Sequence, residues 1–426
     1  MNVRKLAVDA IDKIMINNAY SNIVVNDVLN KYELSNEDRG LFTNLVYGTL
    51  QHLLTIEYYI EPFIAKKKPK HWVRYLLYMS VYQLVYLKSA EYAVVNEATS
   101  IARLKDKQIA SFVNGVLRNF LRNPLKDIEE LRKVGEVEYL SVKYSHPDWL
   151  VAFFLKDYSF ETVENILKEN ILEKKDAIRV NTLKTTKSEV KFLLDNLGIK
   201  YTESEIAKDA LVVEASVVNT ELFKDGLITV QDISSQLTSL ICDPQENSSV
   251  LDLCSAPGGK VAYMSALMKN TGVIYACDIY QHKIKLMNDL FNRLGVTNVK
   301  PQLIDARMVH KHVKEGCFDY VLADAPCSGL GVISHKVDLK YRISLDAIDN
   351  ILALQEEMLE TTWKLVKVNG YYVYSTCTIN KDENEYMIKK FLKKHPNFEV
   401  VYEKQILPTD YHTDGFYICK MRRNNE

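Results

Sequence analysis

The arrangement of apolar and polar positions divides the chain into parts with different periodicities. From residue 1 to about residue 135, apolar side chains recur three and four positions apart, as at Val3, Leu6, Ala7 and Ala10. Gly and Pro are sparse throughout this stretch. The spacing therefore predicts an all-helical domain over residues 1–135.

The later parts alternate between strand-like and helix-like patterns. Residues 136–225 combine short β-type runs such as AIRVNTL with helical runs such as EVKFLLDNL, which predicts a linker helix and a small α+β module. Over residues 226–426, the runs VLDLC, GVIYACD, YVLADAP and GYYVYSTC are separated by helical segments. This alternation is typical of βαβ units and predicts a doubly wound, Rossmann-like α/β domain with a parallel sheet.

Composition narrows the class of protein but does not name a partner. The seven cysteines include no CxxC pair, and their odd number and scatter favour a reducing cytoplasm over a disulfide framework. The first residues lack a signal-peptide core, and no apolar run has the length of a membrane span. The net charge of −1 means that a polyanion has to be bound by local patches. One candidate patch, which is equally compatible with a solvated loop, comprises Lys66, Lys67, Lys68, Lys70, His71 and Arg74.

The segment VLDLCSAPGGK at 250–260 predicts a ligand site. A buried strand there leads into a turn at Gly258 and Gly259 and then into a helix, so the backbone can approach a ligand closely. In an open parallel sheet, this turn lies near the point where the strand order reverses and nucleotides bind. The absence of GxGxxG makes a dinucleotide site less favoured.

Aspartates at the ends of the following strands suggest the kind of ligand. Asp278 closes GVIYACD, and Asp305 ends the next apolar run. Carboxylates accept hydrogen bonds from ribose hydroxyls but repel phosphates, so a nucleoside such as S-adenosylmethionine is favoured over NAD or ATP. Each aspartate alone is equally explained as a helix cap.

Two thiols follow the ends of two further strands. YVLADAPCSGLG carries Asp324 and Cys327, and YYVYSTCTI carries Cys377. If these strands are neighbours in the sheet, both thiols project into the crevice that holds the cofactor. Three other cysteines are expected to be inert buried side chains, namely Cys242, Cys317 and Cys419.

This set of residues suits methylation of a cytosine at carbon 5. Carbon 5 is too weak a nucleophile to attack a methyl sulfonium, but addition of a thiolate at carbon 6 converts the ring into an enamine. An acid must then bring a proton or a hydrogen bond to N3, and Asp324 is the candidate. A second thiol can assist the closing elimination.

At these motifs the sequence resembles the RNA cytosine-5 methyltransferases, most closely the bacterial Sun-type (Fmu) enzymes of small-subunit, 16S ribosomal RNA, over nearly the whole chain. The resemblance implies that Cys377 of the S-T-C-T motif is the nucleophile and that Cys327 of the P-C dipeptide assists product release. It also implies that Asp324 provides the proton or hydrogen bond to N3 of the cytosine. It also implies a set of S-adenosylmethionine contacts: Cys254, Ser255, Ala256, Pro257, Gly258, Gly259, Lys260, Asp278, Asp305 and Asp324.

The N-terminal sequence is similar to that of the NusB-type domain, which Sun-type enzymes carry as an appended RNA-binding domain. The similar stretches are YQLVYL (82–87), AVVNEATSIAR (93–103) and FVNGVLRNFLR (112–122). They imply a ribosomal RNA substrate, naked or in a partly assembled small subunit, for a cytoplasmic monomer with no membrane partner. The middle module is expected to be RRM-like, and Arg179 and Asn181 of its RVNTLK segment are candidate RNA contacts.

The sequence departs from the family after the P-C motif. Where a basic pair is common, this chain has Ser334, His335 and Val337, although Lys336, Lys340 and Arg342 are nearby candidates for RNA contact. No metal site is expected, since neither carboxylate nor Cys accompanies His146, His310 and His312 at ligand spacing.

Four alternatives stay open at this point. The first is a cytosine-5 methyltransferase of transfer RNA, although such enzymes generally lack the helical extension. The second is an inactive RNA-binding assembly factor. A methyltransferase of small molecules or proteins would not need paired thiols. A dehydrogenase is disfavoured by the missing GxGxxG.

Overall fold

The computed structural model describes residues 2–411 and 413–425. Its α-helices are α1 (Val3–Ile16), α2 (Ser21–Lys31), α3 (Asn36–Gln51), α4 (Leu53–Ile64), α5 (His71–Val85), α6 (Glu91–Arg103), α7 (Lys107–Arg122), α8 (Glu136–Tyr144), α9 (Asp148–Leu155), α10 (Phe160–Ile171), α11 (Lys187–Asn196), α12 (Glu221–Lys224), α13 (Ile233–Cys242), α14 (Gly259–Leu267), α15 (Gln281–Leu294), α16 (Leu339–Arg342), α17 (Leu345–Thr362) and α18 (Glu385–Lys394). Short 3₁₀ helices cover Ile128–Lys133, Ala306–Lys311 and Trp363–Leu365.

The β-strands are β1 (Asp176–Val180), β2 (Tyr201–Glu203), β3 (Ala210–Val213), β4 (Ile228–Val230), β5 (Ser249–Asp252), β6 (Val273–Asp278), β7 (Val299–Leu303), β8 (Phe318–Asp324), β9 (Val366–Thr376), β10 (Phe398–Ile406) and β11 (Phe416–Arg423). The chain divides into two compact units. The helical unit contains residues 1–172 and 333–343, and the sheet unit contains residues 173–332 and 344–426. The finer division at residues 135 and 225 stays a prediction.

The helical unit forms because its helices present apolar stripes to one core. In α7, for example, Val113, Leu117 and Phe120 are buried at helical spacing, and Asp106 begins the helix by accepting hydrogen bonds from the first backbone N–H groups. The core also includes a residue from the distant segment 333–343, Val337. None of the described helices is long and apolar enough to cross a membrane.

The sheet unit begins with a small antiparallel sheet in the order β2-β3-β1-β4. Its helix α11 begins with a capping box, in which Thr186 and Glu189 each accept a hydrogen bond from the other's backbone N–H. Ile178, Val190 and Leu211 are buried in the core of this module. The predicted α+β module is therefore present.

The larger sheet has seven strands in the order β10-β11-β9-β8-β5-β6-β7. Strands β5 to β9 are parallel, whereas β11 is antiparallel to β9 and β10 is antiparallel to β11. Chain order runs from β5 to β7 on one side and from β8 to β9 on the other, so the order reverses between β5 and β8. The predicted doubly wound α/β domain is confirmed, and its reversal point locates the site.

Candidate active site

The loop after β5 is shaped by its own backbone. Ser255 donates its backbone N–H to the carbonyl of Cys277, and Gly258 donates to the carbonyl of Ser255. Gly258 has a φ of +103°, and a Cβ there would lie 3.0 Å from the ring of Phe291. Glycine is required at this position because both the dihedral and the space exclude a side chain. The loop thus presents backbone groups at the reversal point.

Asp252 was not singled out from the sequence, although it ends β5 as the other aspartates end their strands. Its Oδ1 accepts a hydrogen bond from the backbone N–H of Cys254, and its Oδ2 is buried without a partner among the described residues. Burial, followed by the negative charge of Asp324, raises the pKa of Asp252 to about 7. An unpartnered buried oxygen next to a glycine loop suits a ligand that donates a hydrogen bond.

The two other predicted aspartates differ in how their carboxylates are occupied. Asp278 is buried at the end of β6, accepts a hydrogen bond from the N–H of Tyr280, and lies 3.5 Å from the ammonium of Lys283. Asp305 caps the 3₁₀ helix after β7 and is paired with Arg307 at 2.7 Å. The hydrogen bond from Arg307 lowers the pKa of Asp305. Asp278 is therefore the more available acceptor, and the role of Asp305 at the cofactor stays a prediction.

The two thiols lie side by side, as expected for cysteines that follow neighbouring strands. Strands β8 and β9 are paired in parallel with Asp324 opposite Ser375, and the Sγ atoms of Cys327 and Cys377 are 3.3 Å apart. The hydrogen bond with Cys377, followed by burial, holds the pKa of Cys327 well above its usual value. The pair can therefore share one proton.

A charged pair stands beside the thiols. The ammonium of Lys260 lies 2.7 Å from Oδ2 of Asp324, and Ser375 donates its hydroxyl proton to Oδ1 at 2.9 Å. Burial lowers the pKa of Lys260, but the negative charges of Asp324 and Cys377 outweigh this effect and raise it. Lys260 is consequently a fixed positive charge that favours negative charge on Cys377.

A second buried carboxylate, Glu383, was missed in the sequence. It follows β9 on the loop that also carries Cys377, and it has no exposed surface. Its oxygens accept hydrogen bonds from the backbone N–H and hydroxyl of Ser328, and from the amides of Gln355 and Asn380. Nothing in the acidic stretch KDENE marks one member as buried, so no sequence signal distinguished it.

The structure corrects the predicted RNA contacts in the middle module. Arg179 is buried, donates to the carbonyl of Gly259 at 3.1 Å, and lies over the ring of Tyr263. Asn181 is also buried and donates to the carbonyls of Gly226 and Leu294. Both side chains are used within the sheet unit, where they satisfy backbone carbonyls, and neither is available to RNA.

A similar correction applies after the P-C motif. Lys340 is fully buried in the helical unit and donates to the carbonyl of Gln51, whereas Lys336 is exposed. Arg342 is paired with Asp338 at 3.2 Å. Only Lys336 of the three proposed basic residues is therefore available to a polyanion in this segment.

The remaining candidates fall into two groups by exposure. His146 is buried and hydrogen-bonded to the carbonyl of Tyr144, and burial holds its pKa well below the usual value. Burial also raises the pKa of both Cys242 and Cys419 to about 12, as expected for inert thiols. In contrast, the basic patch predicted in the helical unit is solvent-exposed at Lys66, Lys67, Lys68, Lys70 and His71.

Comparisons with known proteins agree with this arrangement. The family described as 16S rRNA methyltransferase RsmB/F matches residues 239–422, the NusB family matches residues 1–122, and a ferredoxin-like domain of RsmF/B-like methyltransferases matches residues 146–219. A Bacillus subtilis protein named probable ribosomal RNA small subunit methyltransferase B is 39% identical, and the match covers 99% of each chain. The Proteus mirabilis ribosomal RNA small subunit methyltransferase B is 30% identical over 99% of each chain.

Two solved structures extend the likeness to three dimensions. One, titled as the crystal structure of PH0851, has a TM-score of 0.83 at 26% identity and covers 99% of both chains. The other, a methyltransferase homolog from Pyrococcus horikoshii, has a TM-score of 0.60 at 27% identity and covers 67% of this chain and 97% of its own. The resemblance drawn from the motifs is confirmed: the chain is a methyltransferase that belongs to the RsmB/F family of 16S rRNA methyltransferases.

Proposed function

We propose that this enzyme transfers a methyl group from S-adenosylmethionine to carbon 5 of a cytosine in small-subunit ribosomal RNA, through a covalent bond between Cys377 and carbon 6. The observation that carries the proposal is the pair of Sγ atoms 3.3 Å apart, next to Lys260 and Asp324, where the strand order reverses. Methyl transfer to oxygen or nitrogen does not require paired thiols, whereas carbon 5 does require a thiolate.

The residues around the reversal point suit S-adenosylmethionine. The unpartnered Oδ2 of Asp252 can accept from the ammonium of the amino acid moiety, and Asp278 can accept from the ribose hydroxyls. The loop from Cys254 to Lys260 supplies backbone groups along the ligand. When bound, this cofactor supplies an electrophilic methyl group on a sulfonium.

Three side chains of the protein are proposed to act on the cytosine. Cys377, as a thiolate favoured by the charge of Lys260, attacks carbon 6 and pushes electrons into the ring. N3 becomes more basic as this happens and takes up a proton from solvent, and the negative carboxylate of Asp324 stabilises the N3–H that forms, while Lys260 stays its charged partner at 2.7 Å. Cys327 lies within reach of the Cys377 sulfur and is proposed to assist the elimination that releases the product.

The choice of RNA is supported by the helical unit and by the names of the relatives. The match to the NusB family lies in this unit, and the curated relatives are named as methyltransferases of the ribosomal small subunit. The exposed lysines near residue 68 offer a positive patch for phosphates. The proposal also includes that the enzyme is a monomer and acts in the cytoplasm. The seven free cysteines support a reducing compartment.

The decisive experiment identifies the labelled nucleoside. The full chain is incubated with methyl-labelled S-adenosylmethionine and, separately, with unmodified 16S ribosomal RNA, assembled small subunits or transfer RNA. Labelled 5-methylcytidine from ribosomal RNA or subunits alone is expected. Label only in transfer RNA would overturn the substrate, and label at another atom would overturn the chemistry.

A pair of variants tests the nucleophile. Cys377→Ala should abolish turnover, since no other group at the site replaces the thiolate. Cys317→Ala is the matched control, because Cys317 precedes β8 at the opposite end of that strand and should leave activity intact. Full activity of Cys377→Ala would refute the assignment.

A further inference from the structure

Glu383 lies at the centre of the hydrogen bonds that hold the two cysteine loops. Its Oε2 accepts from the backbone N–H of Ser328 at 2.8 Å and from the amide of Gln355 at 3.0 Å. Its Oε1 accepts from the hydroxyl of Ser328 and from the amide of Asn380 at 3.0 Å. An ionised carboxylate can accept all four hydrogen bonds, whereas a protonated one would lose acceptor capacity.

These contacts join the chain on both sides of the thiol pair. Ser328 directly follows Cys327, and its hydroxyl also lies 2.8 Å from the hydroxyl of Thr378, which directly follows Cys377. Gln355 donates to the carbonyl of Pro326 as well, at 2.9 Å. The separation of the two Sγ atoms is therefore set by a buried polar network outside the strands themselves.

The Glu383 carboxylate is bonded more directly to the Cys327 side of the pair: two of its hydrogen bonds come from Ser328, which directly follows Cys327, whereas Asn380 lies three residues after Cys377. Hydrogen bonding with Cys377 raises the pKa of Cys327 most, then burial, and the negative charges of Glu383 and Asp324 add to it. On the other thiol, the positive charge of Lys260 interacts with Cys377. A further titratable group near the pair is Tyr374, whose hydroxyl donates to the main-chain carbonyl of Glu383 at 2.8 Å.

We propose that Glu383 is a positioning residue for the thiol pair: its buried carboxylate fixes both cysteine loops and keeps the shared proton on Cys327, so that Cys377 is the thiolate. This inference rests on the proposed function, in which Cys377 attacks the cytosine. It assigns Glu383 no contact with the substrate. The role differs from a merely structural one because it predicts which of two adjacent sulfurs reacts.

The test measures the reactivity of each thiol without RNA or cofactor. The full chain is treated with iodoacetamide between pH 6 and pH 9, and alkylation of each cysteine is followed over time by peptide mass spectrometry. In the wild type, Cys377 should react about tenfold faster than Cys327 at pH 7, because the thiolate is the form that iodoacetamide alkylates. In Glu383→Gln this preference should fall about tenfold, because the negative charge beside Cys327 is removed.

Glu385→Gln is the matched control, since Glu385 begins α18 two residues further on and its buried Oε2 has no hydrogen-bond partner among the described residues. It should retain the wild-type preference. If Glu383→Gln does not fold, Ser328→Ala, which removes one donor to the carboxylate, should lower the preference in the same direction. Faster alkylation of Cys327 in the wild type, or an unchanged preference in the folded Glu383 variant, would overturn the inference.

Methyl transfer supplies an independent readout. Folded Glu383→Gln should lose kcat at least tenfold with little change in the KM for S-adenosylmethionine, because the affected step is attack on the cytosine. If Glu383→Gln loses the thiol preference but the wild-type enzyme methylates no cytosine, this inference stands and the proposed function is wrong. If the wild type methylates cytosine and Glu383→Gln keeps the thiol preference, the proposed function stands and this inference is wrong.

Discussion

Lys340 gives a test of the forces inside the helical unit. It is fully buried, and its ammonium donates to the carbonyl of Gln51 at 2.8 Å. In the part of the chain that the structure describes, it forms no ion pair. The neighbouring buried imidazoles stay neutral and add no further positive charge, since burial lowers the pKa of His52 to about 3 and holds that of His146 well below its usual value.

The size of the effect follows from the displaced pKa. Burial lowers the pKa of Lys340 from 10.5 to about 7, so between these pH values the unfolded chain binds a proton that the folded chain releases. Stability should therefore rise with pH across this window. At about 1.36 kcal/mol per pKa unit, the charged side chain costs about 4 kcal/mol of unfolding free energy at pH 7 and about 2 kcal/mol at pH 9.

Lys340→Met removes the titrating group and keeps most of the buried volume. The variant should be more stable than the wild type at pH 7. This gain in unfolding free energy is smaller by about 1 kcal/mol than the cost of the buried charge, because the carbonyl of Gln51 loses its donor. The decisive quantity is the change with pH: the advantage of the variant should shrink by about 2 kcal/mol between pH 7 and pH 9. Other titrating groups cancel in this difference.

Urea unfolding of the full chain, followed by tryptophan fluorescence, measures this quantity. Two of the three tryptophans, Trp72 and Trp149, lie in the helical unit, so its transition dominates the signal. Lys336→Met is the control because Lys336 is exposed in the same segment, and its effect should be small and constant with pH. A constant difference between Lys340→Met and the wild type from pH 7 to pH 9 would refute the reasoning.

Two further predictions concern the RNA. Cys327→Ala should accumulate a protein–RNA adduct that survives denaturing electrophoresis, because elimination is slowed while attack by Cys377 continues; absence of an adduct under single-turnover conditions contradicts the release role. Replacing the three exposed lysines at 66–68 by alanine should weaken RNA binding and reduce the slope of log affinity against log salt by about 1 to 3. Lys393→Ala, an exposed lysine of α18 in the sheet unit, is the control, and equal salt slopes for both variants would remove the patch from the RNA-binding surface.

The sequence predicted the parts of the site that parallel strands dictate. Strand-like runs that end in Asp324, Cys327 and Cys377 had to place these residues at one edge of a sheet once the alternation with helices was recognised. Pairing of β8 with β9 then brought the thiols together. The prediction was possible because side-chain placement at a strand end follows from the local pattern and from one topological rule.

Burial of polar residues was beyond the reach of the local pattern. Arg179, Asn181 and Lys340 were interpreted as RNA contacts because charged and amide side chains are usually exposed, yet all three are buried and satisfy backbone carbonyls. Each partner is distant along the chain, as Gln51 is from Lys340. Periodicity over ten or twenty residues carries no information on such pairings.

The local sequence pattern predicted where the two thiols lie, but it did not predict the hydrogen bonds that hold them. The strands bring Cys327 and Cys377 to one edge, but the 3.3 Å separation depends on loops that donate several hydrogen bonds to Glu383. A buried polar network of this kind is stabilising only when every member is satisfied, so loss of one donor should disturb both loops together.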